Sequence, residues 1–132
     1  MQLGYVPSGV SPKSILSADG TGGRFLFDGN RAYQSLYNAD QVGVPIGATI
    51  NGVALRVNDE VVTPYPASDH SLNRFDITMS SAVTTAATMS TTFANNEGAD
   101  ITTVRSGPIT IPAGSFPPYD AQREFSRFIP FT

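Results

Sequence analysis

Phe75-Asp76-Ile77-Thr78-Met79-Ser80 alternates an apolar residue with a polar one at every step. A period of two puts Phe75, Ile77 and Met79 on one face of an extended chain and Asp76, Thr78 and Ser80 on the other. One face then meets a core while the other meets water, which antiparallel sheets permit and parallel sheets rarely do. An antiparallel sheet is the expectation, and the rest of the chain is read around it.

Toward the C-terminus, Thr102 to Ile111 resumes strand character through Val104, Ile109 and Ile111, with Ser106-Gly107-Pro108 as a break. After the turn residues from Pro112 to Tyr119, Phe125 to Phe131 supplies a last strand. Toward the N-terminus, Ile50, Val53, Leu55 and Val57 form the best core strand, and Asn51-Gly52 within it suits a bulge or bend. Asp59 to Ser71, with Pro64, Pro66, Ser68, Asp69 and His70, reads as a long loop. Phe25-Leu26-Phe27 and the Tyr33, Ser35, Tyr37 run form a hairpin about Asp28-Gly29-Asn30. Ala82 to Asn95 is too rich in β-branched threonine for a long helix, but Ser90-Thr91-Thr92-Phe93 suits one or two helical turns capped by a hydroxyl. Six to eight short strands at hairpin spacing predict an all-β fold: an antiparallel β-sandwich of jelly-roll type with at most one short helix. Residues 1–22, rich in Ser, Gly and Pro and without period, form an arm or irregular lead-in; residues 23–132 form a single domain.

Composition narrows the function classes. The chain has 132 residues, one lysine (Lys13) against seven arginines, and a net charge of -3, so it lacks the basic field that a phosphate backbone attracts. Nucleic acid is excluded as an expected partner. Cysteine is absent, which removes disulfides, thiolate metal sites and thiol catalysis. No apolar run approaches the length of a transmembrane segment, and the N-terminus as written has no signal peptide.

Candidate chemistry is sparse. Asp69-His70-Ser71 brings carboxylate, imidazole and hydroxyl together, but adjacent residues of an extended chain point in alternating directions and do not form a triad. Asp59-Glu60 and Asp28 are the raw material for a glycosidase acid and base, without a pattern that selects them. Asn95, Asn96, Glu97 and Asp100, or Asp19 with Asp28, are hard oxygen ligands of the kind calcium takes. Their spacing matches no defined calcium loop, and the same residues serve tight turns, so a capped turn behind an inward-packed Phe93 is preferred. Tyr5, Tyr33, Tyr37, Tyr65 and Tyr119 would line a sugar platform, weakened by the absence of tryptophan. No catalytic, cofactor or metal residue is assigned.

Taken together, Arg31-Ala32-Tyr33-Gln34-Ser35-Leu36-Tyr37, Ile50 to Arg56, Phe75 to Ser80, Ser90-Thr91-Thr92-Phe93-Ala94-Asn95-Asn96 and Ile129-Pro130-Phe131-Thr132 resemble an uncharacterised bacterial β-domain. That domain occurs in exported proteins with PEP-CTERM sorting tails, notably of planctomycetes and cyanobacteria. The resemblance spans residues 23 to 132 and implies an extracellular, non-catalytic β-module with no ligand to carry over. Members usually have an export signal before the domain, a sorting tail after it and a further apolar strand beyond Pro-Phe-Thr. The sequence as written has none of these, so the expectation is an open sheet edge near Thr132, completed by a neighbouring chain or by the arm. The function expected is a non-enzymatic structural or interaction module on an extracellular or virion surface, part of a repeating assembly. A carbohydrate-binding module of an extracellular matrix is the second reading.

Overall fold

The computed structural model describes residues 2–7, 13–14, 32–38, 45–56, 62–118 and 127–132. Eight short strands lie among them: β1 (Gln2–Pro7), β2 (Lys13–Ser14), β3 (Ile50–Arg56), β4 (His70–Leu72), β5 (Ile77–Met79), β6 (Thr102–Arg105), β7 (Ile109–Ile111) and β8 (Arg127–Pro130). They form a four-stranded sheet in the order β2-β1-β3-β8 and two ribbons, β4-β7 and β5-β6, and every pairing is antiparallel. The described residues contain no α-helix, only single 3-10 turns at Ala86–Thr88 and Phe93–Asn95. The all-β, antiparallel expectation is met.

β3 is the axis of the larger sheet, as its apolar run predicts. Against β1 its register slips by one residue: Tyr5 faces Val53, yet Pro7 faces Ile50. The extra residue falls at Asn51-Gly52, where the change of phase in the sequence placed a bulge. On the opposite edge Gly52 faces Pro130, and the ring of Phe128 lies across the glycine. A Cβ there would come within 2.5 Å of the Ile129 carbonyl oxygen and of the ring itself. Glycine is therefore required by close approach of backbone and ring.

The apolar core is one cluster of Leu55 from β3, Ile129 from β8, Ile111 from β7 and Phe116 from the following loop, with Val53, Tyr65, Leu72, Phe75, Ile77 and Ile109 packed around it. Leu55, Ile111 and Phe116 are wholly buried. Phe116 is held from behind by backbone: it exchanges two 2.8 Å hydrogen bonds with Tyr65, while Gly114 N–H donates to the Pro66 carbonyl at 2.8 Å. Two proline-rich loops are thus zipped together under the core.

β8 lies at the rim of the four-stranded sheet. Phe131 N–H donates to Asn51 O at 2.8 Å, so the odd-numbered residues of the strand turn their backbone groups toward β3 and the even-numbered ones turn them outward. The even positions include Pro130, which has no N–H to offer, and Thr132, whose N–H donates to Val104 O of β6 at 2.9 Å. Arg127 adds a bond from its guanidinium to Thr110 O of β7 at 3.2 Å. The edge expected to be open is blunted by a proline and tied to both ribbons, to β7 by Arg127 at its start and to β6 by Thr132 beyond its end.

Several local expectations change. Gln2–Pro7, read as part of an aperiodic lead-in, is a sheet strand against β3, because ladder hydrogen bonds do not require side-chain periodicity. The run of Tyr33, Ser35 and Tyr37, read as a strand, joins no ladder. The loop ends one residue before His70, which starts β4. Met79, on the face assigned to the core, is 38% exposed, since β5 ends there and the core lies toward Phe75 and Ile77. The Phe25–Phe27 strand, its turn, Val57 and Phe125 lie outside the described residues.

Candidate functional site

The 22 residues between β5 and β6 fold into a lobe that extends the ribbon. Ala82 bridges Glu97; Gly98 N–H donates to Ser81 O at 2.7 Å and Val83 N–H to Asn96 O at 3.0 Å. Beyond these bonds the chain makes its two 3-10 turns and returns to Asn96, the sole buried polar residue among those described.

Asn96 knots the lobe together. Its amide nitrogen donates to Gln34 Oε1 at 2.6 Å and to Ser90 O at 2.8 Å, with Thr92 O at 3.5 Å; its amide oxygen accepts from Ser90 N–H at 2.8 Å and Thr84 Oγ1 at 3.2 Å. Ser90 fixes the amide's orientation, because its N–H requires the oxygen and its carbonyl requires the nitrogen. An aspartate would set oxygen against oxygen. Gln34 completes the knot by donating through Nε2 to Phe93 O at 3.2 Å and to Glu97 Oε1 at 3.1 Å, docking the 32–38 segment on the lobe.

Two carboxylates pin the ribbon at its ends. Asp100 accepts both the N–H of Ser81 (2.9 and 3.1 Å) and its hydroxyl (2.6 Å). Those bonds, the hydroxyl's foremost, hold its pKa below the ordinary carboxylate value. Gly98 must be glycine here, since a Cβ would lie 2.7 Å from Asp100 Oδ1 and 2.9 Å from Ser81 O. At the other end Asp76 accepts from Arg74 Nε, from Ser106 Oγ at 2.8 Å and from Gly107 N–H at 3.1 Å, and its pKa is likewise lowered, chiefly by Arg74. Phe75 N–H donates to Gly107 O at 2.8 Å, and the Arg105 guanidinium sits 5.7 Å from the centre of the Phe75 ring.

The residues nominated from sequence therefore have structural occupations. Asn96 and Asp100 direct their oxygens at backbone and side-chain donors of the lobe, Glu97 accepts from Gln34 Nε2, and Asn95 donates to Ser90 Oγ at 3.4 Å. Among the described residues no three or more His, Asp or Glu side chains gather where a metal ion would sit. Phe93, expected to pack inward, is 39% exposed; the inward position belongs to Asn96. Ser90 Oγ accepts from Thr92 N–H at 3.1 Å, a hydroxyl-supported turn just ahead of the second 3-10 turn. Asp69 Oδ1 accepts from Ala113 N–H at 2.8 Å, and Ser71 Oγ shares a 3.0 Å bond with Thr110 Oγ1 across β4-β7, so carboxylate and hydroxyl diverge from one another. Tyr65 is half-buried against the core. Asp19, Asp28, Asp59, Glu60 and Tyr119 lie outside the described residues. Gln34 escaped sequence reasoning because its partners are about sixty positions away and nothing local marks it.

No family model, curated protein or solved structure matches the chain. Among the described residues no helix is long and apolar enough to cross a membrane.

Proposed function

We propose that the protein is a non-enzymatic structural or interaction module that works on an extracellular or virion surface as one subunit of a repeating assembly. Its strands would complete a β-sandwich of jelly-roll type, and its kin would be the β-domains of PEP-CTERM-sorted proteins that its motifs resemble. The observation that carries this reading is the distribution of apolar side chains. Among the described residues five hydrophobic residues are buried, whereas nine large ones are exposed, including Ile46, Val62, Val83, Tyr33 and Ile101. Single exposed apolar residues are ordinary, but nine large ones among the described residues, against five hydrophobic residues fully buried, offer apolar surface to neighbours. The chemistry agrees: among the described residues, the side chains of Asp69, Asn96, Glu97 and Asp100 are taken up in hydrogen bonds that shape loops.

Sedimentation velocity of the full chain over a range of concentrations tests the reading. Association that rises with concentration is expected. A monodisperse monomer at the highest concentration attained, folded by circular dichroism, overturns it.

A further inference from the structure

The lobe inverts the usual order of a folded unit. Its inside is a polar knot around Asn96, and its outside carries Val83 (66% exposed), Met89 (36%) and Phe93 (39%), joined by Tyr33 (53%) from the segment that Gln34 docks. Each of these residues is next in sequence to, or bonded through its backbone to, a member of the knot, so the apolar exterior is displayed on a fixed frame. Methionine and aromatic residues are the types enriched at the centre of protein interfaces, where charged residues are depleted.

Charge selects the occupant. From Met79 to Ile101 the chain has no lysine or arginine and two acids, Glu97 and Asp100. The opposite end of the same ribbon carries Arg105, which faces Ile77, and Arg74, whose side chain is 84% exposed, with Asp76 as the one acid between them. The ribbon is thus an acidic, apolar tip on a basic base. We propose that the tip seats on the Arg74-Arg105 base of a second copy of this chain, a head-to-tail contact that propagates into a ring or filament. The inference rests on the assembly reading above and names its surfaces. A head-to-tail contact uses two different patches on each subunit, and this distinguishes it from a two-fold dimer of tips.

Two single substitutions test it in the full chain, each on a side chain that the fold leaves exposed: Val83→Lys on the tip and Arg74→Ala on the base. Circular dichroism and melting temperature establish that both variants fold. Each alone is expected to weaken self-association about tenfold or more, because Val83→Lys sets like charges together at the contact and Arg74→Ala removes a charge on which the acidic tip seats. Mixed in equal amounts they are expected to form a heterodimer and stop there, since the intact tip of one variant meets the intact base of the other and no second contact remains. Association that survives Val83→Lys or Arg74→Ala unchanged overturns the proposal while leaving the assembly reading standing. Loss of association without heterodimer in the mixture overturns the head-to-tail arrangement. A wild-type chain that stays monomeric removes both.

Discussion

The apolar cluster around Leu55 and the polar knot around Asn96 both hold short chain segments together without long ladders, and they do it by opposite means. In the cluster, Leu55, Ile111, Phe116 and Ile129 come from three elements and a loop and share contacts that have no direction. In the knot, one amide meets partners at residues 34, 84 and 90 through bonds that admit one orientation. Burial stabilises in proportion to area and tolerates exchange of similar shapes. A buried hydrogen-bond network adds less net stability, yet it punishes a wrong partner because each orphaned group keeps its full desolvation cost. The cluster supplies stability to the whole sheet assembly, and the knot supplies the shape of one lobe.

The largest effect should come from the cluster. Phe116→Ala removes a wholly buried ring, and large core truncations of this kind cost about 3–5 kcal/mol. Chemical denaturation should show the loss as a shift of the global transition, with lobe and sheets moving together. A transition that splits, leaving the lobe intact, would break the idea that the cluster is the common support. Gly52→Ala should follow, at about 1–3 kcal/mol for forcing a methyl group into packed surroundings. Its new Cβ meets the Ile129 carbonyl and the Phe128 ring. Truncating Phe128 as well relieves the ring contact but leaves the carbonyl, so the double variant should recover only part of the loss.

Asn96→Ala should cost about 2 kcal/mol, the scale of leaving buried polar groups unpaired, and the damage should be local. Hydrogen exchange is expected to quicken at Val83 and Ser90 while the amides of β3 keep their protection. Asn96→Asp should be no better, because Gln34 Oε1 and Ser90 O would then face an acceptor. If instead the aspartate variant is fully protected, the knot does not read the amide's orientation.

The same contrast explains what was legible in the sequence. Strand β3, the break at Ser106-Gly107-Pro108 and the alternation from Phe75 to Ile77 follow from periodicity and turn chemistry, which are local properties. The bulge at Asn51-Gly52 was legible for the same reason. The lobe was half legible: Asn, Glu, Gly and Asp marked a turn, but nothing local says that Asn96 goes inside and Phe93 stays out. That choice depends on Gln34, far away in sequence and near only in the fold. β1 was missed because a strand among Gly, Pro and Gln earns its place through backbone pairing with β3, which leaves no trace in side-chain pattern.

The smallest effect, and the sharpest test of how separable the two regions are, is acid. Asp100 and Asp76 have pKa values lowered in the folded state, the first mainly by the Ser81 hydroxyl and the second mainly by Arg74. A carboxylate whose acidity is raised by folding contributes stability that is present above its unfolded pKa and lost as pH falls through the folded one. The contribution is therefore complete at neutral pH and disappears only in acid, below the ordinary aspartate range. Both groups are solvent-accessible and each clamps a loop rather than the core, so the response should be local: exchange at Ser81, Gly98 and Gly107 should rise on acidification ahead of any change at Leu55 or Ile111. Asp100→Asn keeps an acceptor for the Ser81 N–H and removes the titration, so in that variant the acid response should vanish at Ser81 and persist at Gly107. An unchanged response at Ser81 would mean that the lobe is released by something other than its own clamp, and a simultaneous loss of protection at Leu55 would mean that the ribbon and the apolar cluster form one cooperative unit.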